Sequence, residues 1–433
     1  MRVFASILCF ALLLSVGCDA PAQKSAEISS GVSTEHGGAA TASPATSPQQ
    51  LEDLHRIAGA GGETVDSAAV HRGPLLFTEI TQTAGIDFVH YSGDNDERPF
   101  PAANGSGVAA LDIDLDGRTD LLFLNGASFP ADDHRQLPGD QLYRNRPGLQ
   151  FAKVSLAAGI APAGYSAGCA VGDLNNDGFP DVYVNCYGSN RLYWNQGDGT
   201  FVEQAAAAGA DDDRWGTSAA MLDFDGDGDL DIYVCNYAEW SWETNQFCGN
   251  RDRNVRVFCS PRSVRPVADG LLENLGDGTF RDSLQLAGLD REAGRGQGVI
   301  ATDLTGDGLI DLYVANDASP NFLFRNAGNG TFEDLTEISG AAYDFAGRAQ
   351  AGMGIAAADI DRNGTVEIFV TNYEDEHNAL YISQGNGFYQ DESRTWQLAA
   401  SSMRWVGWGT AFADFDADGW NDLVITDGHT DSN

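Results

Sequence analysis

Six sets of four oxygen-bearing residues repeat along this chain at one fixed spacing. They are Asp112, Asp114, Asp116 and Asp120, then Asp173, Asn175, Asp177 and Asp181, then Asp223, Asp225, Asp227 and Asp231. The remaining sets are Asp303, Thr305, Asp307 and Asp311, then Asp359, Asp361, Asn363 and Glu367, then Asp414, Asp416, Asp418 and Asp422. Positions one, three, five and nine of each loop thus carry oxygen, the donor a hard cation such as Ca²⁺ requires. Position six is glycine in all six copies, as a sharp turn demands. Acidic turns are common on solvated surfaces, but random turn chemistry does not repeat four ligand positions six times. The sequence therefore predicts up to six structural Ca²⁺ ions.

An EF-hand would close on a bidentate carboxylate at position twelve. Here that position holds Phe123, Val184, Val234, Val314, Val370 and Ile425. The acid at position nine must close the loop instead, and the run behind it is strand-like, as in Asp181-Val-Tyr-Val and Asp311-Leu-Tyr-Val. A glycine stands five residues before the first ligand at Gly107, Gly168, Gly298, Gly354 and Gly409, with Ser218 in the third copy. Each loop is thus expected to join two strands of a hairpin. A second signature comes after the strand, Asn190-x-Leu192-x-x-Asn195-x-Gly197-x-Gly199-Thr200-Phe201, repeated from Asn321 to Phe332 and more loosely up to Phe151, Phe280 and Phe388. Its Asn-x-Gly-x-Gly core reads as a second hairpin turn. Two hairpins per unit of roughly 40–60 residues give an all-β fold, a β-propeller of four-stranded blades.

These motifs resemble FG-GAP/VCBS-type propellers, as in integrin α subunits, and more closely the UnbV/ASPIC, or cartilage-acidic-protein-like, family. The resemblance covers about 77–433. It rests also on Phe77-Thr-Glu-Ile-Thr-x-x-Ala-Gly-Ile86, Tyr313-Val-Ala-Asn-Asp317-x-x-Pro-Asn321, Gln350-Ala-Gly-Met-Gly354 and Gly407-Trp-Gly-Thr410. It implies an exported, seven-bladed propeller with calcium in its blade loops, of which about six units are present. In copies two, four and five the closing Phe falls 20 or 21 residues after the ninth-position acid, whereas 11 residues come after Asp422. The last unit is therefore expected to be incomplete and the chain truncated; the alternative is a six-bladed ring closed by a strand near Phe77.

Val3 to Val16 form an apolar run too short to span a bilayer, which reads as a signal-peptide core. Leu14-Ser-Val-Gly17-Cys18 reads as a lipobox with Cys18 as the lipidated residue, against ordinary cleavage nearby. The expected layout is a signal peptide over 1–18, a flexible low-complexity tether over 19–73 with a short helix at 51–57, and the propeller over 74–433. The protein is expected to be exported, as a lipoprotein at the cell envelope or secreted, touching membrane only through the lipid anchor.

The net charge is −38, and 21 of the 63 acidic residues occupy ligand positions. Without metal these carboxylates repel one another, so calcium binding and folding should be coupled. The same charge argues against nucleic acid as a partner. Five cysteines lie beyond the signal core and lipobox. Cys248 and Cys259 bracket an insertion and are candidates to close it. Cys169 and Cys186 flank the second loop and are candidates to face each other across its hairpin. Cys235 reads as a buried strand residue.

The third repeat is the outlier, through an insertion at about 236–269. It carries Trp240, Trp242, Phe247 and Phe258 with Arg251, Arg253, Arg256, Arg262 and Arg265. A protein or carbohydrate ligand is expected at a propeller face or at this insertion, a long loop on a rigid scaffold; the alternative is that the insertion merely covers one propeller face. Gly164-Tyr-Ser166-Ala-Gly168 matches a nucleophile elbow, but it enters a hairpin rather than a strand-to-helix turn. The histidines show no zinc spacing, and no catalytic set emerges. The sequence reads as a non-catalytic binding or adhesion module. The alternative is a propeller enzyme with lyase-like action on polysaccharide.

Overall fold

The β-branched and aromatic run behind each loop acid forms a strand, and it pairs back across the loop with the small-residue run in front. The computed structural model describes residues 77–130, 139–160 and 164–430, all within the larger of two compact units of the chain. The signal core, Cys18, the tether and its helix at 51–57 lie outside the described residues.

Blade 1 comprises Val108–Leu111, Asp120–Phe123, Gln141–Arg146 and Gln150–Lys153 in an antiparallel meander. Blade 2 comprises Tyr165–Gly172, Asp181–Tyr187, Arg191–Asn195 and Phe201–Glu203. Blade 3 is Gly216–Leu222, Asp231–Asn236, Gly270–Asn274 and Phe280–Asp282, and blade 4 is Gly296–Thr302, Asp311–Asn316, Phe322–Asn326 and Phe332–Asp334. Blade 5 is Ile355–Ala358, Glu367–Val370, Ala379–Gly385 and Phe388–Asp391. Blade 6 is a pair, Gly407–Ala413 with Asp422–Asp427. The first strand of each blade packs on the first strand of the next, which makes the fold a β-propeller.

Among the described residues the apolar side chains fill separate layers between blades. Leu122 and Leu142 of blade 1 meet Val182, Val184 and Tyr193 of blade 2, and the same layer recurs between each later pair. Inner blades are covered on both faces, so Asp181–Cys186 and Asp231–Asn236 are buried along their length. Leu423, Val424 and Ile425 of blade 6 are only half-buried.

The glycine five residues before each loop has a role that spacing did not reveal. A Cβ on Gly168 would lie 2.2 Å from the Thr217 carbonyl oxygen, and one on Gly354 would lie 2.0 Å from that of Trp408. These glycines let neighbouring first strands touch. The Asn of the second signature also reaches between blades: Nδ2 of Asn195, Asn274 and Asn326 donates to the carbonyls of Ile113, Leu174 and Phe224 at 2.8–2.9 Å. Each outer hairpin is thereby bolted to the preceding loop. At the front of the chain, Phe77 meets Phe415 edge-on at 5.6 Å, at the loop position where Phe224 meets Phe332.

Candidate functional site

Each loop folds around its first aspartate. The N–H of the sixth-position glycine donates to that carboxylate at 2.7–3.1 Å in all six copies. Those glycines hold φ between 80° and 96°, the left-handed region. Position four is left-handed too, although it holds Leu115, Asn176, Arg362 and Ala417 in four copies. Of these only Asn176 is a residue that adopts that region readily.

The ninth-position acid is the anchor. Asp120, Asp181, Asp231, Asp311 and Glu367 are all buried. One oxygen of each accepts the N–H of the second loop residue, from Ile113, Leu174, Phe224, Leu304 and Ile360, at 2.9–3.1 Å, and Asp422 accepts from Phe415 likewise. The other oxygen of the first four accepts an N–H from the third strand, at Asn145, Asn195, Asn274 and Asn326. This acid therefore ties the loop to the third strand as well as facing the other ligands. Burial, reinforced by the neighbouring loop aspartates, pushes Asp120 and Asp181 up to about 6 and Asp231 up to about 7.

Three carboxylates converge to within 4.8 Å in four loops: Asp112, Asp114 and Asp120; Asp223, Asp225 and Asp231; Asp359, Asp361 and Glu367; Asp414, Asp416 and Asp422. In loops two and four the third position is Asn175 and Thr305, so neutral oxygens stand in for one carboxylate. Asp114 Oδ1 and Thr305 Oγ1, both at position three, are buried without a hydrogen-bond partner. Orphaned oxygens beside converging carboxylates are what a bound cation would satisfy. The residues present fit a hard metal ion.

The cysteines divide. Cys248 and Cys259 are joined by a disulfide. Cys169 and Cys186, expected to face each other, do not stand opposite one another, and Cys186 is a free thiol. A bulge between Ser166 and Cys169 shifts the register, which sets Cys186 opposite Ser166 and Cys169 opposite Val184. Cys235 is free and buried. Ser166 is buried in a strand, and its hydroxyl donates to Asp140 at 2.9 Å. It sits in a hairpin strand, not at the strand-to-helix turn of a nucleophile elbow.

The insertion folds as two small ribbons, Ala238–Glu239 with Arg265–Pro266 and Cys248–Asn250 with Val255–Val257. Three of its five arginines are engaged: Arg265 pairs with Glu239, Arg256 pairs with Glu97, and Arg251 lies over the Phe247 ring. Trp240 leaves the insertion to join Phe129 and Tyr187, with Trp215, Tyr237 and Phe100 behind them in a continuous aromatic cluster. Beside it opens a cavity of about 590 Å³ between the insertion, blades 2 and 3 and the Arg98–Phe100 segment. The insertion was visible in the sequence. The wall opposite it was not, because Arg98, Tyr187, Asp213 and Trp215 come from three distant stretches.

Among the described residues no helix is long and apolar enough to cross a membrane. A family model for the FG-GAP-like repeat matches residues 112–184, 173–234, 303–370 and 359–425. Cartilage acidic protein 1 of Xenopus tropicalis is 27% identical over 330 residues, 74% of this chain and 39% of that protein. The human protein of that name is 26% identical over 364 residues, 81% of this chain and 43% of that protein. The chain thus spans about two-fifths of the length of the curated relatives it matches. Among solved structures, an Agrocybe aegerita lectin that recognises terminal N-acetylglucosamine aligns with TM-score 0.40 at 17% identity, over 75% of this chain and 71% of its own. An exotype rhamnogalacturonan lyase aligns with TM-score 0.35 at 14% identity, over 67% of this chain and 46% of its own. Both scores are too low to bear on function. The loop-bearing repeats matched by the family model make up more than half of the sequence, and the chain belongs to the FG-GAP-like repeat family, homologous to cartilage acidic protein 1.

Proposed function

We propose that this chain is an exported, calcium-stabilised β-propeller that acts as a non-catalytic binding module, held at the cell envelope through Cys18 or secreted. The 24 residues of the six loops are its calcium ligands, and the ion's role is structural. Calcium neutralises the carboxylates of each loop and fixes the turn between the first two strands of a blade. The observation that carries this reading is the orphaned position-three oxygens of Asp114 and Thr305, beside acids whose other oxygens are already bound to the backbone.

Ligand recognition falls to the face formed by the 236–269 insertion, whose inner ribbon the Cys248–Cys259 disulfide closes on itself. The charge of −38 argues against nucleic acid as a partner. Isothermal titration of the chelator-stripped full chain with CaCl₂ tests the metal reading. Stoichiometry well above one ion per chain, lost loop by loop in Asp→Ala variants at position one, is expected. No heat of binding at millimolar calcium would overturn it. Export is tested by fractionating cells that carry the full chain: Cys18→Ser should release it from the membrane fraction if Cys18 is the anchor.

A further inference from the structure

We propose that the cavity under the insertion binds an uncharged sugar unit of a glycan, with Tyr187 and Trp240 as its apolar platform and Asp213 as acceptor for its hydroxyls. This rests on the reading of the insertion face as the binding site and names the ligand class. Four observations lead to it.

The volume, about 590 Å³, lies in the range of small-ligand sites. Tyr187 and Trp240 are only half-buried, and both line it. Aromatic rings of that kind offer a broad amphipathic surface to a ligand that has an apolar face and a polar rim. The lining also holds neutral groups that both donate and accept, the Thr244 hydroxyl, bonded to Ser241, and the Gln246 amide, which donates to the Ser263 carbonyl and leaves its oxygen to accept.

The charges decide the class. Three guanidiniums line the cavity, and each is already matched to a carboxylate: Arg98 to Asp94, Arg214 to Asp212 and Arg265 to Glu239. Arg214 further donates to the carbonyls of Ala268 and Asp269. An acidic polymer would have to break those pairs. Asp213 is the opposite case, an exposed lining carboxylate with no ion pair among the described residues. A carboxylate accepts at two oxygens, which suits adjacent hydroxyls and repels anions. A neutral polyol ring with one apolar face meets the two aromatic rings and Asp213 at once and leaves the arginine pairs intact.

The test is titration of the full chain, in millimolar calcium, with neutral oligosaccharides of glucose, galactose, mannose and N-acetylglucosamine, monitored by tryptophan fluorescence and calorimetry. Dextran sulfate and a lysine-rich peptide serve as comparison probes. Binding of at least one neutral oligosaccharide is expected, weakened about tenfold or more by Trp240→Ala and by Asp213→Asn. Val267→Phe fills the cavity from its lining and should abolish binding with the melting temperature unchanged, which separates loss of the site from loss of the fold. Sugar binding that survives all three variants overturns the cavity as the site. Binding of only the peptide or the polyanion, sensitive to the same variants, overturns the sugar and leaves the binding module standing. Silence from every probe overturns both.

Discussion

Loops one and three carry the same ligands, four aspartates each, yet their surroundings differ. In loop one, Arg118 pairs with Asp116, and Arg144 reaches from the third strand of blade 1 to Asp114, with Asp116 also within 3.7 Å. Loop three has no arginine among the described residues in such a place; its neighbour is Glu273, whose charge adds to the upward shift that burial gives Asp225. One loop carries internal counter-ions and the other does not. Identical ligand spacing therefore does not mean identical dependence on metal. Loop three stands to gain most from a divalent cation, and loop one least.

The largest effect should come from removing an anchor common to both. Asp231→Ala strands the N–H groups of Asn274 and Phe224, both buried by this contact, at about 1–3 kcal/mol each. Urea unfolding in EDTA should show a loss of about 2–6 kcal/mol, and Asp120→Ala should match it. A much milder Asp120 variant would mean that the arginines, not the anchor, hold loop one.

The next prediction concerns pH. Burial raises Asp120 and Asp181 to about 6 and Asp231 to about 7. Between the ordinary carboxylate value near 4 and those values, the folded chain holds protons that the unfolded chain has lost. Metal-free stability should therefore fall as pH rises through that window, and calcium should remove the trend by taking the protons' place. Melting curves in EDTA at stepwise pH check the sign; stability that rises over the window would contradict it.

Arg144→Ala sharpens the contrast between the loops. As a partly exposed pair it should cost at most about 1 kcal/mol without metal, while calcium affinity at loop one should rise severalfold, read by titration against the parent. The smallest effect is expected from Cys248→Ser with Cys259→Ser. The disulfide spans 11 residues within the insertion, so hydrogen exchange should quicken over 240–266 while the propeller's own melt stays in place.

Much of this was legible in the sequence because the loops obey a local rule: ligand spacing and a left-handed glycine are set within nine residues. The strand behind each acid arises from its β-branched and aromatic content. What escaped depends on neighbours far away in the chain. Gly168 looked like a lead-in residue, but its need arises from the Thr217 backbone of the next blade. Cys169 and Cys186 looked symmetric about their loop, but a bulge broke the symmetry. Asn195 looked like a turn former and proved also to be a cross-blade tie. Arg144 gave no sign, 24 positions beyond the ninth-position acid, that it would lie against Asp114.

The most direct test of the account is a thermal melt of the full chain in excess EDTA and in millimolar calcium. Six sites at even a hundredfold excess over their dissociation constants would each add about 2.7 kcal/mol. A large upward shift of the melting temperature is therefore predicted, with magnesium weaker. Coincident melts in EDTA and calcium would contradict the account, and leave the loops as acidic turns that hold no metal.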